Sequence, residues 1–264
     1  MTVHYNRLTK EPYLRLPTPL SNIIITPHRL ENIDETATAL AEILNDPRVY
    51  PWLEGPPYPY QHEDGVKWIE AKCKENEDVL STLRRYLEQR EGMSNSKSAA
   101  VVSKQDREFI DTCPFTCIRE VLEEDAASGA PLKDRLIGDM TLARYTFYEH
   151  PHDSEERSEA QRRNNELPTG DENIIWALGD FLAPSHHGKG IMSLAIRTLI
   201  HEWGIPHMNV RHLRCCAFQG NEGSLKVFER NNFERGVTLK DWVPVSESRG
   251  GGRKSIVLMT WRGA

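Results

Sequence analysis

Apolar and polar positions alternate along the chain in stretches that predict strands and helices in turn. Residues 22–26 (NIIIT) form a β-branched run typical of a strand. A helical repeat follows, which Asp34 would cap, with inward positions at Ala37, Leu40, Ala41 and Leu44. Helical spacing returns over 66–73 and again over 79–87.

The segment between these helices, residues 50–60 (YPWLEGPPYPY), carries four prolines. Proline lacks the amide hydrogen that helices and central strands require, so neither structure fits this segment. The pattern predicts a stiff aromatic loop.

The pattern in the second half of the chain predicts strands that alternate with helices. Strand patterns cover 115–121, 136–148, 173–183, 212–218, 233–243 and 255–261, and helical patterns cover 189–203 and 222–230. The helix over 189–203 has a narrow polar stripe at Ser193, Arg197 and His201, which is typical of a helix packed on a sheet. This order predicts one mixed α/β domain.

Three segments stand outside that pattern. Residues 1–20 are mixed and contain three prolines, which predicts a loosely packed N-terminal arm before a single domain over 21–264. Insertions are expected at about 91–112, an exposed linker, and at 149–172. The second insertion holds eight acidic and three basic residues with few apolar ones, so we expect it to be mobile.

The charge, the apolar runs and the cysteine content indicate which binding partners and compartments to expect. The net charge of −6 gives no sign of nucleic-acid or membrane binding. No apolar run is long enough to span a bilayer, and the first residues lack the apolar core of a secretory signal. Five cysteines, an odd number without a CxxC pair, indicate reduced thiols in a cytoplasmic or nuclear compartment.

A metal site is not expected from the spacing of the ligand-type residues. Cys113 and Cys117 have no second pair of matching spacing. The histidines near the turn form no HxxxH pair; they are His186, His187, His201, His207 and His212.

The strongest chemical signal is the turn Ser185–Met192 (SHHGKGIM), where a strand runs directly into a helix. Gly188 and Gly190 remove the Cβ atoms that would keep a ligand from the backbone. The free N–H groups and the positive dipole end of the helix then form an anion site, to which Lys189 adds a charge. A tight turn without a ligand is the alternative. A Walker A motif and a GxGxxG motif are both absent.

This turn resembles motif A of the GNAT N-acetyltransferases, Q/R-x-x-G-x-G/A at the head of a helix, with Ser185 in the Gln/Arg place. The stretch from Asn221 to Phe233 resembles the family's N-x-x-S/A-x-x-V-x-E-x-x-G-F, with Asn232 in place of the glycine. The front half resembles the ribosomal-protein-alanine N-acetyltransferase branch. The resemblance implies a mixed, mostly antiparallel sheet of about seven strands, with strands four and five splayed apart and helices on both sides.

The resemblance also implies the activity: transfer of an acetyl group from acetyl-CoA to a primary amine on a small molecule or a peptide α-amine. Residues implied in cofactor binding are Phe181, Leu182, Ala183, His187, Gly188, Lys189, Gly190, Ile191, Met192, Asn221, Ser224 and Phe228. The aromatic loop is expected to line the acceptor pocket with Trp52, Tyr58 and Tyr60. Each of these residues also has a purely structural interpretation. Asn221, for example, is an expected helix cap, and the aromatic loop is alternatively a packed surface loop.

Candidates for proton transfer follow from the same resemblance. Asp180 lies in an apolar strand, where its pKa would rise, and is the candidate base; a solvent-facing strand residue is the alternative. Phe228 stands where many relatives carry a proton-donating tyrosine and has no proton to give. Ser224 or solvent is then the expected donor. The alternative function is a GNAT-fold protein that binds acyl-CoA as a regulator with little catalysis, and either protein is expected to be a monomer or a homodimer.

Overall fold

The computed structural model describes residues 3–94 and 109–263, with side chains described for 3–88 and 109–263. Its centre is one sheet of nine strands. The strands are β1 (His4–Tyr5), β2 (Pro12–Arg15), β3 (Ile23–Thr26), β4 (Cys117–Glu124), β5 (Pro131–Arg144), β6 (Ile175–Leu182), β7 (His212–Phe218), β8 (Glu234–Pro244) and β9 (Arg253–Arg262).

The strands lie in the order β1-β2-β3-β4-β5-β6-β7-β9-β8. The pairs are antiparallel except β6–β7, which is parallel. The predicted α/β architecture with a mostly antiparallel sheet is confirmed, although the sheet has nine strands and not about seven.

The additional strands come from the N-terminal residues. Strands β1 and β2 pair with each other, and β2 pairs with β3. Leu14 and Leu16 are almost completely buried in the main core. The prediction of a loosely packed arm was wrong. β2 has only four residues and this segment contains three prolines, so its pattern was too short to predict a strand.

Helices cover both faces of this sheet. They are α1 (Ile33–Leu44), α2 (His62–Glu75), α3 (Glu77–Ser94), α4 (Glu155–Glu166), α5 (Ile191–Leu199), α6 (Ile205–Met208) and α7 (Glu222–Glu229), with a π-helical turn at Ile200–Gly204 joining α5 to α6. Helix α1 begins one residue before the predicted cap: Asn32 is its N-cap, and Asp34 lies in its first turn, where a carboxylate favours the helix dipole.

Two clusters of buried apolar side chains hold the layers together. The larger joins the sheet to α5, α7 and the start of α3, and includes Trp176, Trp203 and Phe228. The smaller joins α1 and α2 to the other face through Leu40, Ile69 and neighbouring side chains of β4 and β5. Adjacent strand residues point to opposite faces, so β4 contributes to both clusters.

The acidic segment 149–172 is ordered around α4 and is not a mobile insertion. Ser154 caps the helix by accepting a hydrogen bond from the Arg157 N–H. The buried Asn164 side chain bonds both backbone groups of Ile175, each at 2.9 Å. The composition of the segment did not reveal this docking, because its apolar contacts are few and the attachment is through hydrogen bonds.

Replacement of Asn164 by alanine is expected to destabilise the protein by about 1–2 kcal/mol, because it leaves the Ile175 N–H at the start of β6 without its partner. Asn165, its exposed neighbour, is the matched control, and its alanine variant is expected to change stability by less than about 0.5 kcal/mol. Urea unfolding of both variants measures the difference. Equal stability of the two variants would mean that α4 is not docked through Asn164.

No helix among residues 3–94 and 109–263 is long and apolar enough to cross a membrane. Of the expected linker at about 91–112, the structure describes only the end of α3 and residues 109–112, so most of that prediction falls outside the described residues.

Candidate functional site

Strands β6 and β7 separate to open a cleft. They pair only at three positions, where Ile175, Trp176 and Ala177 face His212, Leu213 and Arg214. No pairing between these two fully described strands continues beyond that point, although each runs on for several residues. The predicted splay is therefore present, and it leaves one backbone edge of each strand free of its neighbour.

The opening is a cleft of about 740 Å³. It is lined by the ends of β6 and β7, the turn before α5, the first residues of α7, residues of 141–148 and the loop around Trp52. Its lining combines apolar and polar side chains, and a cleft of this size can hold a small molecule or a cofactor.

The turn between β6 and α5 has the backbone that its glycines predict. Gly188 and Gly190 have φ angles of 74° and 77°, in the left-handed region where side chains are disfavoured. A Cβ atom at either position would meet nothing within 4 Å, so both face open space. Gly190 is the N-cap of α5, and the N–H groups of Ile191 and Met192 begin the helix beside the cleft. This is an anion site of the expected kind.

Two histidines hold that turn in place. His187 Nε2 lies 2.8 Å from the Leu182 carbonyl oxygen and so ties the turn back to the end of β6. His186 is buried, with Nδ1 2.9 Å from Ser185 Oγ and Nε2 3.4 Å from Glu120. Ser185, at the Gln/Arg place of the motif, therefore supports a histidine.

Most of the residues predicted to hold the cofactor line this cleft together. They are Phe181, Leu182, His187, Gly188, Gly190, Ile191, Met192, Asn221, Ser224 and Phe228. Lys189 lies instead in an adjoining groove with Arg197 and Arg230. Ala183 is not among the lining residues, because its N–H continues the sheet by donating to the Ile137 carbonyl at 2.7 Å.

Helix α7 supplies both a cap and part of the cleft. Asn221 Oδ1 accepts a hydrogen bond from the Ser224 N–H at 3.2 Å, so the plainer prediction of a helix cap is confirmed. Phe228 is buried, with its ring 5.2 Å from that of Phe233. It presents an apolar surface to the cleft where a proton donor was considered.

Asp180 is half-buried in the wall of β6. Its removal from water raises the pKa of its carboxyl group to about 6. None of the described residues gives this carboxylate a hydrogen bond or an ion pair. Its charge also contributes, after burial, to the raised pKa of Cys215 on β7, so the two side chains lie within electrostatic reach across the opening.

The raised pKa has a consequence for stability. The folded protein binds the Asp180 proton more tightly than the unfolded chain does, so stability falls as the pH rises from about 4 to about 6. Replacing Asp180 with asparagine is expected to stabilise the protein at pH 8 by about 1–2 kcal/mol, allowing for solvent in the cleft, and to have little effect near pH 4. Thermal unfolding at the two pH values measures this, and a destabilised variant at pH 8 would show that the carboxylate has a favourable partner.

The aromatic loop forms a short 3₁₀ turn at Tyr50–Trp52 and is fixed by cations from the β8–β9 hairpin. The Arg249 guanidinium donates to the carbonyls of Tyr50, Leu53 and Pro56, and Lys254 donates to that of Pro51. These bonds hold the loop across the end of the cleft.

Of the three aromatic residues expected to line the acceptor pocket, Trp52 does so. Tyr58 stacks on Tyr50 with 4.1 Å between ring centroids, and Tyr60 is buried with α1 and α2, where its N–H bonds Asn45 at 2.8 Å. Neither tyrosine lines the cleft, which corrects that part of the prediction.

Several cleft residues were missed. Glu54 and Tyr148 line the cleft, as do Cys215 and Cys216 of β7. Burial raises the pKa of Glu54, whose carboxylate stands at the mouth. The strand predicted over 212–218 contains both cysteines. Because this strand is one of the splayed pair, its residues could have been predicted to line the cleft. No sequence pattern marked Glu54 or Tyr148.

Comparison with known proteins agrees with this geometry. Residues 133–234 match the model of the Acetyltransferase (GNAT) domain. No curated protein matches the sequence. Among solved structures, the microcin C7 self-immunity acetyltransferase MccE, in complex with acetyl-CoA and AMP, has a TM-score of 0.54 and 13% identity over 92% of this chain and 93% of that chain.

Two ribosomal-protein acetyltransferases are similar to the same extent. RimL, the ribosomal L7/L12 α-N-protein acetyltransferase, has a TM-score of 0.56 at 10% identity, over 99% of this chain and 100% of that chain. The ribosomal-protein-S5-alanine acetyltransferase of Vibrio fischeri has a TM-score of 0.51 at 13% identity, over 91% and 93%. At such identities these likenesses establish the fold.

Residues 133–234 match the GNAT acetyltransferase domain, and the solved acetyltransferase structures share the overall fold of this chain, so the fold predicted from the sequence resemblance is confirmed.

Proposed function

We propose that this protein is an acetyl-CoA-dependent N-acetyltransferase that transfers the acetyl group directly to a primary amine while both substrates are bound. The observation that carries the proposal is the continuous cleft. It is lined by the turn Gly188–Met192, where we place the phosphates, by the free edge of β6, and by two carboxylates of raised pKa, Asp180 and Glu54.

The cleft supports the binding of the acyl donor in two parts. The N–H groups at the start of α5 favour the pyrophosphate through the helix dipole and direct hydrogen bonds. The free edge of β6 offers the backbone groups of Asp180 and the N–H of Leu182 to the amides of the pantetheine arm. Lys189, in its groove with Arg197 and Arg230, favours the anionic cofactor from outside the cleft.

The reaction requires a neutral amine. Asp180, with its pKa near 6 and no cation to neutralise it, is suited to take the proton from the acceptor ammonium at neutral pH. The amine then attacks the thioester carbonyl, and a backbone N–H on β6 stabilises the oxyanion that forms. The attacking nitrogen loses its second proton to solvent, the carbon–sulfur bond breaks to leave the neutral amide, and coenzyme A leaves as the thiolate.

The thiolate must then receive a proton. Phe228 has none to give, and Ser224, at the same end of the cleft on α7, is the candidate donor, with solvent as the other source.

The acceptor enters beside the aromatic loop. Trp52 offers an apolar surface and Glu54 a carboxylate, which favour an ammonium group next to an apolar body. Either a small amine or a peptide α-amine satisfies that chemistry. All five cysteines are free, which supports work in a reducing compartment, the cytoplasm or the nucleus.

One observation favours a second function. The buried Phe228 leaves the usual donor position without a proton, which suits a GNAT-fold protein that binds acyl-CoA as a regulator with little catalysis.

A thiol-release assay separates the two functions. Acetyl-CoA is supplied with a panel of small amines and of peptides with free or blocked α-amines, and free coenzyme A is measured. Acceptor-dependent release supports the transferase, and mass spectrometry of the product then identifies the acetylated nitrogen. Tight acetyl-CoA binding with no release on any amine supports the regulator.

A further inference from the structure

Three potential metal ligands meet on the face of the sheet covered by α1 and α2. Cys117 of β4 lies directly opposite Asp139 of β5, and Thr26 of β3 lies directly opposite Cys117. His28 follows two residues after Thr26 and so points to the same face. A thiol, a carboxyl and an imidazole from three distant parts of the sequence thus come together at one end of three strands.

All three side chains are removed from solvent. His28, Cys117 and Asp139 are exposed by 4%, 0% and 2%. Their ligand atoms lie within 4.8 Å of one another. Since no substrate reaches so buried a thiol, the Cys-His-Asp set is not a nucleophilic site.

The contact between the histidine and the aspartate has an unusual geometry. His28 Nε2 lies 2.9 Å from Asp139 Oδ2, yet within the described part of the chain neither atom makes a hydrogen bond of normal geometry. Buried polar atoms without such partners are rare and costly. A metal ion bound between these two atoms satisfies both of them.

We propose that His28, Cys117 and Asp139 bind a zinc ion. Thiolate, imidazole and carboxylate are the three ligand types of protein zinc sites, and a thiolate disfavours magnesium or calcium. Zinc bonds of about 2.0–2.3 Å place tetrahedral ligand atoms roughly 3–4 Å apart, so the atoms found here, all within 4.8 Å of one another, need to close in by about 1 Å at most.

Three ligands leave one tetrahedral position. Cys73 of α2 packs against the same apolar cluster as Cys117, and a small movement of its half-buried thiol would supply the fourth ligand. The zinc site is then structural, because it joins β3, β4 and β5 to one another and, through Cys73, to α2. Asp139 is the residue of this site that pairs with Phe181 of β6.

The test uses the full-length protein, freed of metal by chelation and then supplied with zinc or with cobalt. We expect about one zinc ion per chain by elemental analysis, and a sulfur-to-cobalt charge-transfer absorption with cobalt. Bound zinc is expected to fall at least about tenfold in Cys117→Ser and in the isosteric Asp139→Asn, and thermal stability of the wild type is expected to rise with zinc.

Cys113→Ser is the matched control, because Cys113 is an equally buried thiol outside the cluster, and it is expected to retain the zinc. Circular dichroism establishes that each variant is folded. If the wild type takes up no stoichiometric zinc and shows no thiolate band with cobalt, or if Cys117→Ser and Asp139→Asn bind zinc as the wild type does, the proposal is wrong and the cluster is a buried ion pair beside a thiol.

Discussion

Replacement of Gly190 by glutamate is expected to weaken acetyl-CoA binding at least about 100-fold, which corresponds to roughly 3 kcal/mol. Two effects add. Glutamate at a φ of 77° strains the backbone at the start of α5. Its carboxylate also lies in the open space where we place the pyrophosphate and repels it. Isothermal titration of acetyl-CoA measures the change.

Two variants separate these effects from a general loss of structure. Gly190→Ala adds the strain without the charge and is expected to weaken binding by about tenfold or less. Gly129→Glu places the same side chain at a φ of 65°, also with open space around it, in the hairpin that joins β4 to β5, far from the cleft. It is expected to bind acetyl-CoA normally. Equal binding by Gly190→Glu and Gly129→Glu would place the cofactor elsewhere.

Replacement of Asp180 by asparagine is expected to lower kcat/KM by about 10² to 10⁴, the usual contribution of a general base. Asparagine keeps the size of the side chain but cannot take a proton. Acetyl-CoA binding is expected to change little, since the anion site is untouched. The rate is measured as the release of free coenzyme A, in a stopped or a continuous assay, with the acceptor that the amine panel identifies.

The pH dependence of the rate is a second test of Asp180 as the general base. A base must be deprotonated to act, so the wild-type rate is expected to rise with pH through about 6 and then level off. This limb is expected to be lost in Asp180→Asn. Glu54→Gln is the comparison, because burial raises the pKa of that carboxyl as well. If the limb and the rate are lost in Glu54→Gln and kept in Asp180→Asn, Glu54 is the base.

The local geometry of the turn before α5 could be predicted from the sequence for a physical reason. A strand, a glycine turn and an apolar helix are consecutive in the chain, so their geometry follows from local rules. Gly188 and Gly190 take the positive φ angles that only glycine adopts freely. The positions of Asn221 and Phe228 likewise follow from the spacing along one short helix.

The parts that the sequence did not predict depend on contacts between distant residues. Arg249 fixes the aromatic loop from almost two hundred residues away. Tyr60 is held by Asn45 and packs with α1 and α2, outside the cleft. The docking of the acidic segment through Asn164 is a pair of hydrogen bonds that composition does not show. The cluster around Cys117 exists only through the register of three strands, so no spacing rule along the chain detects it.

The central claim is that the cleft between β6 and β7 binds acetyl-CoA with its phosphates at the turn before α5. A crystal structure of the complex with coenzyme A tests it most directly. The account predicts that the pyrophosphate oxygens accept hydrogen bonds from backbone N–H groups of residues 187–192 and that the pantetheine arm lies along β6 near Phe181. Phosphates bound away from these residues, with the cleft empty, would contradict it.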